Sequence, residues 1–580
     1  MNIRSLLGRW GPLLAITAAF TWACVTIAMR RGDETPPDTT VIRIGHWQLE
    51  AGVRQAFDEL GLQFAQLPQV KAKYGKVLIV QDAIPEGTYG QWITSNMIAH
   101  TAPDLVEIGM GLAPNIWLAY QNRYFEPLTT LANEPNPFNK GTDLEGIPLR
   151  LTFDDAMRSG YLEELQEYMR MPLSRFTARI FYNRTLLRKL TGRNEPPTHF
   201  REFINLCQTI STLKDPTGQK YSPIASSKYH SGMWDGGVCL PLTFELLYQT
   251  DFNRDGTLGN DEMFATIKSG RLNFQNRAIQ ARYRMFAELI QYFQKGFAGL
   301  NRDEAVFRFA QQQAVFITTG TWDVMSLVEQ AKDQFEVGIM AFPQPAADDP
   351  DYGPFVLGPA YDPAGQAFPF GLTRSSRHPE LAKDFLLFLA SKQGNQRLNE
   401  IIDWIPAVRS VPLPAMLAKF APVNQGQYAC FNTDLGGETY IQSQQMVSRL
   451  LTDPKYQVAD FLADFEPYYK DHGLRDWHEQ QRDWRRAIIN NDKFLAGLRG
   501  EALVEVPDRL DDPLWIKYRA YTASRQVMLG IWRAEQVQMV EKGPQRPVGP
   551  YEYLPQALEN ARRVLRAASP PKPSIPSPGP

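Results

Sequence analysis

The chain of 580 residues is longer than one hydrophobic core usually serves, so two lobes or domains are expected. Its 43% hydrophobic and 21% charged residues are ordinary for a soluble globular protein, and a net charge of −2 without any dense Lys/Arg run excludes a broad basic field that would recruit nucleic acid. The four cysteines, Cys24, Cys207, Cys239 and Cys430, form neither a CxxC pair nor a zinc spacing; the last three read as buried thiols with one bridge open.

In chain order, the first feature is Trp10 to Met29, which carries no charge and lies between Arg4/Arg9 and Arg30/Arg31. It is long enough to span a bilayer as a helix and close to the size of a signal peptide. Thr21-Trp22-Ala23-Cys24 resembles a lipoprotein cleavage box. An uncleaved anchor, a lipid on Cys24 and a cleaved signal all stay open, and all three place the chain beyond the linker Gly32 to Thr40 outside the cytoplasm.

Val41 to Gly45 alternates like a strand, with His46-Trp47 just past its end. Val53, Phe57, Leu60 and Phe64 recur at helical spacing within Val53 to Gln66. Val77 to Val80 is a second strand, Tyr89 to His100 a helix, and Pro103 to Ile108 a third strand. This βαβαβ alternation predicts a parallel sheet covered by helices, with ligands bound beyond the carboxyl ends of its strands. Neither a GxGxxG nor a GxxxxGK[ST] loop is present to hold a nucleotide.

Further along, Arg179 to Asn183 reads as a strand, and Thr198 to Leu213 as a helix capped by Thr198. Asp251 to Glu262 fills the positions of a twelve-residue EF-hand loop. Asp251, Asn253 and Asp255 offer side-chain oxygens, Gly256 permits the turn, Thr257 offers a carbonyl, Gly259 faces a water, and Glu262 grips with two oxygens. The expected cofactor is one structural Ca²⁺, between an entering helix at Leu242 to Gln249 and a leaving one at Met263 to Lys268. Asn276 to Phe293 and Ala305 to Gln313 are helical, and Ala314 to Thr318 is a strand running into Gly320-Thr321-Trp322-Asp323. Phe335 to Met340 is a strand, Pro379 to Ser391 an apolar helix, and Ser448 to Val540 mostly helical. Pro570 to Pro580, with six prolines, reads as a disordered tail.

The order of several short marks resembles the family 1 extracellular solute-binding proteins of bacterial ABC importers, the group that includes the maltose-binding protein. After His46-Trp47 come Pro103-Asp104-Leu105-Val106, Tyr124-Phe125-Glu126-Pro127-Leu128 and Phe181-Tyr182-Asn183-Arg184-Thr185-Leu186-Leu187, then Pro196 to Glu202. Gln313 to Phe316, Gly320-Thr321-Trp322, Val337-Gly338-Ile339 with Phe342-Pro343, and Gly371-Leu372-Thr373 with Ser375-Ser376 follow, then Ala382 to Leu386 and Ile405-Pro406-Ala407. The resemblance covers about Val41 to Pro414 and implies a two-lobe periplasmic-binding-protein fold of α/β class, type II-like, with a hinge. It places the first lobe at 41–172 and 344–398, and the second at 173–343 and 399–450, after an anchor and linker at 1–40. Asn133 to Arg175 reads as an insertion, 451–568 as a helical C-terminal extension beyond the family's usual length, and 569–580 as the tail.

The resemblance implies capture of a carbohydrate, an oligosaccharide by the weight of the 12 Trp, 23 Tyr and 32 Phe, for the permease subunits of an ABC-type importer. The expected ligand residues are Trp47, Glu107, Tyr182, Trp234, Trp322, Asp323 and Trp404, with Trp477, Trp484, Trp515 and Trp532 left to packing. The chain is expected to act as a monomer, held to the membrane by its N-terminal segment. A membrane-tethered sensor or surface assembly protein of the same fold is the alternative. A glycoside hydrolase ranks last, because Asp154-Asp155 and Glu163-Glu164 are adjacent doublets and neither HExxH nor GxSxG occurs.

Overall fold

The computed structural model describes residues 38–522, apart from 51, 113, 163–164, 166, 216–217, 252–257, 363, 424–425, 428, 434, 513, 516–517 and 520–521. The N-terminal apolar segment, Trp532 and the Pro-rich tail lie outside the described residues.

Two sheets organise the chain. The first has six strands in the order Ile405–Pro406, Met171–Phe176, Gly365–Leu372, Leu105–Glu107, Thr39–His46, Lys76–Ala83. Thr39–His46 runs parallel to both of its neighbours, with Val41 opposite Leu78 and Ile44 opposite Leu105. Gly365–Leu372 is antiparallel on both sides, with Phe370 opposite Glu107 and Pro369 opposite Pro172. The facing prolines explain why these two strands escape a reading by pattern. Proline is a strand breaker because it cannot donate, yet here both prolines are accommodated within the paired register. The second sheet has four strands in the order Val337–Met340, Ala178–Asn183, Ala314–Gly320, Ser222–Ala225. Its central strand Ala314–Gly320 is buried along its whole length.

The chain passes between the sheets at Thr177, again before Gly365, and a third time after Pro406. Residues 173–176 and 399–408 therefore belong with the first sheet, whereas Tyr352 and Phe355 pack in the core of the second lobe. The division expected at 172, 343 and 398 is displaced accordingly, because strand pairing, not the local pattern, decides where a lobe ends. The three crossings are tied at one residue. Arg179, 2% exposed, donates to the carbonyls of Lys419 at 3.0 Å and Ala421 at 2.8 Å and pairs with Asp362. Beside it the Thr177 hydroxyl donates to the Phe420 carbonyl at 2.8 Å.

The segment Asn133 to Arg175 is not appended to the first lobe: Leu144, Leu149, Phe153 and Met157 are buried in that lobe's core. Cys207, Cys239 and Cys430 are buried and unbridged, and burial raises each thiol's pKa. The helix expected from Thr198 starts at Phe200, with His199 in the cap position and no side-chain cap. The C-terminal extension is likewise part of the second lobe. Phe461, Phe465, Tyr469 and Trp477, on the helix Val458–Glu505, join the same core as Phe203, Phe274 and Phe316.

That integration predicts the cost of disturbing it. Phe465 is fully buried, with ring centroids 5.5 Å from Phe274 and 5.9 Å from Tyr469. Phe465→Ala is expected to lower unfolding stability by about 3–5 kcal/mol, as for a core phenylalanine. Urea denaturation checks this; an unchanged main transition would mean that the helix folds apart from the lobe.

Candidate ligand-binding cleft

The carboxyl ends of the parallel strands in both sheets open on one cavity of about 850 Å³. From the first lobe, the segment after Thr39–His46 brings Trp47, Gln48 and Glu50. The start of the helix Glu86–Ile98 brings Glu86, and the turn after Leu105–Glu107 brings Ile108 to Met110. From the second lobe, Tyr229 follows the strand Ser222–Ala225, Thr321 and Trp322 follow Ala314–Gly320, and Asn301 to Asp303 start the helix Arg302–Ala310. The crossing strands add Phe176 and Gln366 to Pro369, and Trp404 closes the wall.

Local sequence explains several of these positions. A Cβ on Gly320 would stand 2.3–2.5 Å from the Trp322 ring, so only glycine lets the indole fold back over the strand end. There Trp322 meets Phe176 edge-on at 5.3 Å and lies under the Arg302 guanidinium at 6.0 Å. A Cβ on Gly90 would lie 2.0 Å from the Gly111 carbonyl oxygen, so a glycine pair seats the rim turn against the helix Glu86–Ile98. Phe368 has φ +56°, a left-handed backbone rarely taken by a bulky side chain. It kinks the strand so that its ring meets Trp404 at 5.5 Å.

Trp47, Trp322 and Trp404 are thus brought together on the cavity wall. Glu107 lies beneath it, fully buried: its carboxylate accepts from Gln48 Nε2 at 2.6 Å and from the Trp47 N–H at 3.3 Å. Burial pushes its pKa well above the usual carboxylate range, against the pull of those two hydrogen bonds. Asp323 does not reach the cavity. It is 6% exposed, accepts from the Thr319 hydroxyl at 2.5 Å, and holds Arg302 Nη2 at 2.7 Å.

Tyr182 and Trp234 belong elsewhere, and the expectation for them is corrected. Tyr182 points into the second lobe's core across Gly338, where a Cβ would stand 2.0 Å from the ring. Trp234 sits on the helix Lys228–Trp234, wholly buried among Phe203, Phe293 and Phe342. A strand end is not enough to aim a side chain at a cleft, because alternate residues point to the helix-covered face.

Arg302, Glu50, Glu86 and Tyr229 were missed by sequence reasoning. The helix expected from Ala305 starts at Arg302, and the signal was present: Asn301 and Glu304 form a capping box, with Asn301 Oδ1 accepting from the Glu304 N–H at 2.8 Å. Arg302 Nη1 lies 3.9 Å from both Glu50 and Glu86, reaching from the second lobe to the first. Burial works against its charge, but Asp323, Glu50, Tyr229 and Asp303 together raise its pKa. Behind it, burial and then the charge of Arg302 push the His230 imidazole down to about 3, while His230 Nδ1 meets the Ser227 hydroxyl at 2.8 Å.

Of the expected calcium ligands, Asn253, Asp255 and Thr257 lie outside the described residues, as does Gly256. Asp251 and Glu262 are buried at the two ends of the loop, and a Glu262 oxygen accepts from the Gly259 N–H at 2.9 Å. Helical turns precede the loop over Leu240–Thr250, and the helix Asn260–Lys268 follows it.

The family described as bacterial extracellular solute-binding protein matches residues 69–422. Among solved structures, the chain is similar to the solute-binding protein RafE in complex with raffinose, at 14% identity and a TM-score of 0.50, over 74% of this chain and 100% of that one. It is also similar to a chitin oligosaccharide binding protein, at 15% identity and a TM-score of 0.49, over 75% of this chain and 99% of that one. The sugar-binding protein MalE from the phytopathogen Xanthomonas citri is similar at 16% identity and a TM-score of 0.46, over 76% of this chain and 100% of that one. No curated protein matches the chain by sequence.

Glu107 supplies a test of the cleft floor. Its pKa is raised in the folded state, so folding takes up a proton, and that stabilisation is full below the unfolded pKa of about 4.3 and lost as pH rises. Glu107→Gln keeps an acceptor oxygen but cannot ionise. Its stability relative to the unmodified chain should rise with pH above about 4.3, by at most ~1.4 kcal/mol per pH unit. Urea titrations across that range read the difference; a flat difference would mean that the carboxyl titrates alike folded and unfolded.

Proposed function

The chain belongs to the bacterial extracellular solute-binding protein family, and from that membership we propose that it captures an oligosaccharide between its two sheets for an ABC-type importer. The family acts outside the cytoplasm, and its members bind solutes rather than transform them. The observation that carries the ligand class is the cavity wall. Three indoles, Trp47, Trp322 and Trp404, stand with Phe176, Phe368 and Tyr229 around about 850 Å³. Flat aromatic faces meet the C–H face of a sugar ring, and dispersed polar groups meet its hydroxyls. Ser159 Oγ, Thr321 Oγ1 and Gln366 Oε1, on residues of that wall, have no partner within the protein. A buried polar atom without a partner costs free energy that a ligand hydroxyl recovers. The raffinose bound by RafE supports the same class.

Delivery to permease subunits follows from the family. The reading of a tethered sensor draws on the helix Val458–Glu505, built into the second lobe, and differs in one outcome: a sensor would not bind purified permease subunits. Trp10 to Met29 is the proposed tether, by anchor or lipid; among the described residues no helix is long and apolar enough to cross a membrane. Protease added outside spheroplasts should digest the lobes.

We also propose a structural Ca²⁺ held by Asp251, Asn253, Asp255, Thr257, Gly259 through a water, and Glu262. The burial of Asp251 and Glu262 inside the second lobe supports it, since two buried carboxylates at the ends of one loop favour a cation between them.

Two measurements test these readings. A thermal-shift screen over a glycan library should return oligosaccharides that raise the melting temperature by mass action. Trp322→Ala should then weaken the best of them by roughly 1–3 kcal/mol with the fold intact; no carbohydrate hit would end the proposal. Calorimetric titration of chelator-stripped protein should show calcium uptake that Glu262→Gln largely abolishes. Equal uptake by both, or none by the unmodified chain, would leave the loop as a turn.

A further inference from the structure

We infer that the cleft is built for an oligosaccharide bearing amines and against one bearing carboxylates. This deepens the proposed function and rests on it. Three carboxylates line the cavity, Glu50 and Glu86 from the first lobe and Asp303 from the second, beside two guanidinium groups, Arg170 and Arg302. Both guanidinium groups are engaged. Arg302 Nη2 donates to Asp323 at 2.7 Å, and its Nη1 lies 3.9 Å from each of Glu50 and Glu86. Arg170 Nε donates to the Ser159 carbonyl at 3.0 Å. Asp323, behind the wall, balances Arg302, so the acids facing the cavity outnumber the cation that remains. Low-dielectric walls concentrate that negative field on whatever the cleft holds.

The strain of this arrangement shows at Glu50. Burial raises its pKa, Arg302 opposes the rise, and the like charges of Asp323 and Glu86 add to it. An ammonium brings three donors and no acceptor to such a cluster, whereas a uronate adds one more charge of the same sign. Two further features of the wall accommodate an ammonium. Thr321, 1% exposed, presents a hydroxyl with no partner in the protein on this cavity. The aromatic faces attract a cation as well as a sugar ring. Discrimination therefore comes from repulsion of the wrong charge as much as from attraction of the right one.

The test uses purified full-length protein and four tetrasaccharides of β-1,4-linked sugars: glucosamine, N-acetylglucosamine, glucose and glucuronate. Isothermal titration should give the glucosamine tetramer about tenfold tighter binding than the neutral pair, the effect of one favourable charge contact, and no binding of the glucuronate tetramer. Glu50→Gln and Glu86→Gln should each shrink the ratio of amine to neutral affinity, whatever either does to the neutral affinity itself. Raising the salt concentration should shrink it in the unmodified chain. Glucuronate binding as tight as glucose binding, or an unchanged ratio in both variants, would overturn the inference and leave the proposed function standing. Failure of every carbohydrate, in this set and in the wider glycan library, would overturn both.

Discussion

The buried guanidinium of Arg179 is the point on which the two lobes depend. A charge at 2% exposure is tolerated only when its donors are satisfied, and here the carbonyls of Lys419 and Ala421 and the carboxylate of Asp362 do so. Those partners come from different crossings of the chain. The residue that closes its own hydrogen-bond account therefore also sets how the two sheets face each other. The cleft exists because their carboxyl ends meet there, and neither lobe alone encloses it.

The first lobe holds its end of the hinge with amides rather than charges. Asn395 and Asn399 both donate to the Leu173 carbonyl, at 2.7 and 3.1 Å, and the Ser174 hydroxyl donates to Asn399 Oδ1 at 2.6 Å. All three polar side chains are fully buried. Such a network favours one register for the strand Met171–Phe176, since a slip by one residue would carry the Leu173 carbonyl and the Ser174 hydroxyl away from both amides. The second lobe relies instead on aromatic packing that recruits the C-terminal helix, so the extra length of the chain enlarges a core rather than adding a domain.

Within the cleft, charge and stacking are shared between the lobes. Trp322 belongs to the second lobe but packs partly against the first lobe's core, and Arg302 reaches from the second lobe toward Glu50 and Glu86 on the first. The charged and aromatic groups on the cavity wall therefore depend on how the two lobes are set against each other. The buried Glu107 beneath Trp47 and Gln48 supplies the acceptors that orient both.

Much of this was legible from residues alone. The parallel βαβαβ start, the helix Val53–Gln66 and the strand Ala314–Gly320 follow from hydrophobic period and turn residues, and the order of short marks pointed to the two-lobe family. Trp47 and Trp322, read from lying just after strand ends, and Trp404, read as lying in a hinge-side loop, all stand on the cavity wall. The capping box of Asn301 and Glu304 was readable and would have placed Arg302 at a helix start. What the chain could not declare is which face of a strand meets solvent and which meets helices. Tyr182 lies at a strand end as Trp322 follows one, yet Gly338 leaves room that draws its ring into the core, and Trp234 lies on a helix whose inner side meets phenylalanines distant in sequence. The strands containing Pro172 and Pro369 were hidden for a related reason: proline reads as a strand breaker, and only the pairing of distant strands shows that both are accommodated. Local pattern determined the elements and the family they belong to. Tertiary structure alone decided the lobe boundaries and the composition of the cleft, because burial and pairing are properties of residues far apart in the chain.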